Sequence, residues 1–175
     1  MIKASSNAAE LKHESEINKL LSPNSVEVTK MLDYVPGESG TGYLRLPYGY
    51  SLSGFSYMVM PAMGSDLVEA ILQANKEGIQ LSWEAKQYLC SQVVHCLHYL
   101  NVEKQLAHLD VKAENFVFND QLGVSLIDFG MTEGIGALLE DINKMSPKYR
   151  APEILERRPY MPGPADIFGL GVCLF

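Results

Sequence analysis

The sequence predicts an α+β fold from three observations. Apolar residues recur at helical spacing over 82–101, at Leu89, Val93, Cys96, Leu97 and Leu100. Strand-like patterns occupy 26–32, where apolar and polar residues alternate, and 55–60, where they run nearly continuously apolar. Two short apolar bursts, 115–118 and 124–127, flank Asn119-Asp120-Gln121-Leu122-Gly123 in the manner of a hairpin.

The elements follow in order. Residues 8–21 read as a helix, with Leu11, Ile17, Leu20 and Leu21 on one side and charges elsewhere, and Ser22-Pro23-Asn24 ends it because proline disfavours helix in the residue before it. After the strand at 26–32, residues 36–54 are rich in Gly, Ser and Tyr and hold a short strand at 42–46 between turns. The strand at 55–60 is broken by Pro61-Ala62-Met63-Gly64. A short helix over 65–75 follows, capped by Ser65 or Asp66. Ser82, ahead of Trp83-Glu84-Ala85, caps the long helix.

Bulk properties narrow the function classes. A chain of 175 residues with 47% hydrophobic content suits a folded globular domain. A net charge of −7 argues against nucleic acid as a partner, since a phosphate-reading surface needs clustered cations. Lys148, Arg150, Arg157 and Arg158 are interrupted by Glu153 and Glu156, as on a solvated face. Cys90, Cys96 and Cys173 form no CxxC pair; Cys90 and Cys96 read as buried core thiols, and a reducing intracellular compartment follows as the default. The longest apolar run, 167–175, is about half of the ~20 residues a membrane span needs, so no membrane partner is expected. No feature speaks to oligomeric state.

Chemistry concentrates in His108-Leu109-Asp110-Val111-Lys112-Ala113-Glu114-Asn115 and, one hairpin later, Asp128-Phe129-Gly130. Asp110, Asn115 and Asp128 flank the hairpin's open end, so folding can bring them together. Hard oxygen ligands of this kind suit Mg²⁺, which keeps waters and binds substrate phosphates. Lys112, two residues past Asp110, offers a compact positive charge to a phosphoryl group. A carboxylate, a cation and metal-binding oxygens are the parts that phosphoryl transfer requires.

These residues resemble the catalytic loop and metal-binding triplet of eukaryotic-type protein kinases, and Ala151-Pro152-Glu153 is similar to the motif that closes the activation segment. The resemblance covers nearly the whole chain. It implies a two-lobe kinase-like α+β fold, with 1–60 as part of the small lobe, 61–64 as the hinge and 65–175 as part of the large lobe. It implies ATP and Mg²⁺ as cofactors, and a protein with a Ser or Thr acceptor as partner, in the cytoplasm or nucleus. By the same resemblance Asp110 accepts the hydroxyl proton, Lys112 contacts the transferred phosphate, and Asn115 and Asp128 hold the metal ions. Lys112 and Ser146 match the serine/threonine-specific version. Asp166 matches the aspartate that braces the catalytic loop, with Phe168 where the family commonly has Trp. Met60 stands as gatekeeper, the carbonyl of Pro61 and the amide of Met63 face adenine, and Val117 lies beneath the purine. Residues 59–67 resemble the casein-kinase-like group.

Departures from the pattern carry expectations of their own. Leu109 replaces the arginine that in the family pairs with an activation-loop phosphate, which implies constitutive activity or regulation elsewhere. No Gly-rich loop precedes the first helix, so a rival reading is a pseudokinase or scaffold, and the chain is expected to be incomplete at both ends. The phosphate-ordering lysine is expected upstream of Met1, with Lys3 as the alternative. Its ion-pair partner is Glu14, with Glu16 as competitor.

Overall fold

A computed structural model describes residues 1–21, 25–37, 44–45, 51–52, 55–119, 123–141 and 144–175. The chain divides into two compact units, Met1–Ser25 with Thr29–Ala62, and Val26–Val28 with Met63–Phe175.

In the first unit, β1 (Ile2–Ser5) turns into α1 (Ala8–Leu20), which Asn7 caps by accepting the Glu10 N–H at 3.3 Å. Strand β2 (Asp33–Val35) follows, then the short antiparallel pair β3 (Leu44–Arg45) and β4 (Ser51–Leu52), then β5 (Ser56–Val59). The main sheet is antiparallel in the order β1-β5-β2, with Lys3 opposite Met58 and Tyr34 also opposite Met58. As the central strand, β5 is buried at Ser56, Tyr57 and Met58. Leu11 from α1 meets Met58 and Met60, with Met31 and Tyr34 against them.

The alternation over 26–32 does not become a strand. Val28 forms an isolated parallel bridge to Leu126, Leu32 N donates to Val59 O at 2.7 Å, and the strand forms later at β2. The reason is a remote partner: Leu126 N donates to Glu27 O at 2.8 Å and Ser125 Oγ to Val26 O at 2.6 Å. Those bonds assign residues 26–28 to the second unit, so one apolar pattern serves two different neighbours. The expected helix stop at Ser22-Pro23-Asn24, most of the strand expected at 42–46, and the turn at Asp120-Gln121-Leu122 lie outside the described residues.

In the second unit, α2 (Leu67–Lys76) is capped by Asp66, whose Oδ1 accepts the Glu69 N–H at 2.8 Å. Ser82 caps α3 (Trp83–His98) by accepting from Ala85 N at 3.2 Å. The buried stripe Val93, Cys96, Leu97 continues through Leu100 and Asn101, but the α-helix ends at His98. Residues Tyr99–Glu103 form a π turn, closed by Lys104 N donating to Tyr99 O at 3.0 Å. Cys96 is buried as expected, whereas Cys90 is only half-buried, because it lies a turn and a half nearer the exposed start of α3.

Beyond the π turn, β6 (Leu106–Ala107) pairs with β9 (Glu133–Gly134), and β7 (Phe116–Phe118) pairs with β8 (Val124–Leu126) as a hairpin. Short α4 (Pro152–Leu155) and then α5 (Pro162–Leu174) complete the unit. Ala107, Leu109, Met145, Ala151, Ile154, Tyr160 and Ala165 form a core that ties the loop after β6 to both helices. Among the described residues no helix is long and apolar enough to cross a membrane.

Candidate active site

Strand β6 delivers the chain to His108, and the backbone then turns sharply at Leu109, whose φ is 61°. A non-glycine residue holds that left-handed conformation only where its surroundings impose it. Here the surroundings are Asp166 on α5, whose Oδ2 accepts His108 N–H at 2.6 Å and whose Oδ1 accepts Leu109 N–H at 2.8 Å. Asp166 is fully buried; burial pushes its pKa up, against the His108 imidazole and the N–H donors that favour the ionised form. Leu109 is sealed in the apolar core described above.

The turn presents Asp110. Its Oδ1 accepts Ser146 N at 3.1 Å and Ser146 Oγ at 2.8 Å, and its Oδ2 meets Lys112 Nζ at 2.5 Å. Lys112, extended at φ −155° and ψ 157°, also reaches Ser146 Oγ at 3.4 Å. A 3₁₀ turn over Ala113–Asn115 then swings Asn115 back, so that its Nδ2 donates to Asp110 O at 2.8 Å and Oδ2 at 3.2 Å. Asp110 is 8% exposed. Burial acts to raise its pKa, but Lys112 and Ser146, bound directly to the carboxylate, and the nearby His108 prevail and hold it below the usual carboxylate range.

The structure therefore brings Asp110, Lys112, Asn115 and Ser146 into one hydrogen-bonded cluster. Asp128 enters from the far arm of the hairpin: Ile127 N donates to Asn115 O at 3.0 Å, and Asp128 is the next residue, itself at φ 66°. His108 spans the same arm. Its Nδ1 accepts Asp110 N–H at 3.2 Å and its Nε2 lies 2.9 Å from Ile127 O, a pairing met by the tautomer protonated on Nε2. Phe129 packs edge-on against its ring at 5.5 Å.

The donor set fits Mg²⁺. Asn115 turns its amide nitrogen to Asp110, which leaves Oδ1 as the oxygen it could offer a cation, and Asp128, a carboxylate, follows Ile127, whose N–H bonds Asn115 O. Two protein oxygens completed by water and phosphate are what this ion accepts. Among the described residues no three His, Cys, Asp or Glu side chains form a cage that would hold a metal by themselves.

Of the expected nucleotide-contacting residues, Met63 and Val117 lie on adjoining segments of the second unit. Gly64 N donates to Phe118 O at 2.8 Å, Phe118 N donates to Ser65 O at 3.0 Å, and Asp66 bridges to Val117. Met60 and Pro61 belong to the first unit, where Met60 is buried beside Leu11 and Met58 and its carbonyl accepts the Met1 ammonium at 2.7 Å. In that unit Lys3 Nζ meets Glu14 Oε2 at 2.7 Å. Glu14 is 1% exposed, while Glu16 is exposed and 3.9 Å from Lys12. A lysine upstream of Met1 is thus not needed to partner Glu14. Eleven residues suffice between Lys3 and Glu14 because the chain folds straight from β1 into α1, with Asn7 N donating to Ser5 Oγ at 3.0 Å.

Asn101 escaped the sequence reading. It lies at the next +4 position after Val93 and Leu97, and a polar residue on that apolar stripe was the signal available.

The sequence pattern of the protein kinase domain matches residues 3–175. The chain is 32% identical over 167 residues to a Dictyostelium discoideum protein named "Probable serine/threonine-protein kinase MARK-C", covering 93% of this chain and 19% of that one. It is 30% identical over 123 residues to the carbon catabolite-derepressing protein kinase of Candida glabrata, covering 67% and 19%. With serine/threonine-protein kinase CHK1 of Saccharomyces cerevisiae it shares 31% over 120 residues, covering 65% and 22%. The chain thus spans about a fifth of the length of these relatives.

Proposed function

The chain belongs to the protein kinase domain family, and from that premise we propose that it transfers the γ-phosphoryl group of ATP to a serine or threonine hydroxyl of a protein. The observation that carries the proposal is Asp110: an ionised carboxylate fixed by Ser146, Lys112 and Asn115 at the mouth of the β7–β8 hairpin.

In this reading the hydroxyl oxygen attacks the γ-phosphorus, its proton passes to the Asp110 carboxylate, and the bond to the β-phosphate oxygen breaks to leave ADP. Lys112 holds a positive charge beside the transferred group. Asn115 and Asp128 would hold Mg²⁺, which supplies charge neutralisation to the phosphates when bound. Adenine contacts by Met60, Pro61, Met63 and Val117, and the Lys3–Glu14 pair as the orienter of the other phosphates, are parts of the same proposal. So is a cytoplasmic setting, supported by three free cysteines.

The test is γ-phosphoryl transfer to Ser/Thr peptides by the full-length protein, beside its Asp110→Asn variant. Loss of a positioned base lowers turnover by about 10²–10⁴-fold, and nucleotide binding by calorimetry should survive. Equal turnover in the variant overturns the role of Asp110. A wild-type protein that neither binds Mg²⁺-ATP nor transfers phosphate is a scaffold.

A further inference from the structure

We propose that Asn101 is a positioning residue for this site, fixing the catalytic loop through Asp166. The proposal rests on the kinase reading for its consequence in catalysis, but its structural content stands on separate observations.

Asn101 is 6% exposed and sits in the π turn that ends α3. Its Nδ2 donates to Leu106 O at 2.8 Å and to Asp166 Oδ2 at 3.0 Å, so both amide hydrogens are used. Its Oδ1 is buried with no hydrogen-bond partner among the described residues. An apolar residue of the same size would avoid that unmet acceptor, and the +4 stripe calls for one. What the amide contributes is therefore its pair of donors.

Their importance follows from what else holds Asp166. The His108 and Leu109 N–H groups both belong to the loop that Asp166 is meant to hold. With only those two bonds, carboxylate and loop could swing together about the Asp166 side chain. Asn101 supplies a third attachment, from a different element, to the same oxygen that receives His108 N–H. Its second hydrogen fixes the start of β6, two residues before His108. The left-handed turn at Leu109 then lies between two anchored points, and the direction in which Asp110 leaves that turn is set.

The experiment uses the full-length protein with Asn101→Leu, which keeps the size and removes both donors, Asn101→Gln, which keeps an amide, and Leu100→Val, which loosens the same turn without touching Asp166. Backbone hydrogen exchange at His108 and Leu109 is read with kcat and KM for ATP. In N101L these two amides should exchange about tenfold faster than in L100V, kcat should fall about tenfold with KM within twofold, and N101Q should recover at least half of the loss. If N101L does not fold, Asn101→Ser, which shortens the donor's reach, gives the same exchange readout. Protection at His108 and Leu109 equal to L100V overturns the proposal, as does an unchanged kcat. Faster exchange in a protein with no phosphoryl transfer even as wild type would overturn the kinase reading alone.

Discussion

Cys96 donates its thiol hydrogen to Val124 O at 3.3 Å from a site that is 1% exposed, and burial, aided by the nearby Glu27 carboxylate, pushes its pKa up to about 12. The sign of the consequence is fixed: with the folded pKa above the ordinary value of 9.0, stability is whole below about 9 and falls as the pH climbs towards 12. Unfolding free energies measured across that range should decline less steeply in Cys96→Ala, and native protein at pH 8 should leave Cys96 unlabelled by a thiol reagent. Identical slopes would refute the shift. Residue identity was most legible where order and spacing carried it, as at Asp110, Lys112 and Asn115. It was least legible where neighbours distant in sequence decide: Ser146 was reached only through the family resemblance, and nothing local to Asn101 announces a bond to Asp166. Glu14 and Glu16 likewise look alike until α1 is placed on its sheet.

Helices were read well where a cap and a periodic stripe agreed, as at Asp66 and Ser82, because both signals are local. The π turn was not, since the buried stripe runs through Leu100 and Asn101 without a local break. Gly169 shows how closely elements are fitted: a Cβ there would lie 3.2 Å from Val111 O and 3.3 Å from Met145 Cε. Gly169→Ala gains about 1 kcal/mol of helix propensity, but crowding a close-packed contact costs about 1–3 kcal/mol. A net loss is expected in urea denaturation, along with slower turnover, because the crowded carbonyl follows Asp110 directly. A more stable variant with full activity would show the contact to be slack. On the first unit, Lys3→Met leaves the buried Glu14 carboxylate without its cation. Lys3 is 32% exposed, so solvent tempers the loss to about 1–2 kcal/mol. Adding Glu14→Gln should restore much of the melting temperature, and failure to do so would locate the stability elsewhere.

At the scale of the molecule, the α+β organisation was legible from two periodicities in one chain, while the excursion of residues 26–28 into the second unit was not. The excursion of residues 26–28 bears on how such a gene can be divided. The polypeptide passes between units at three places rather than one, so no single cut in the reading frame yields two self-sufficient halves. A piece starting at Met63 would strand the Leu126 N–H and the Ser125 hydroxyl, each worth about 1–3 kcal/mol when left buried and unmet. Supplying residues 25–29 as a separate peptide should then rescue it in trans.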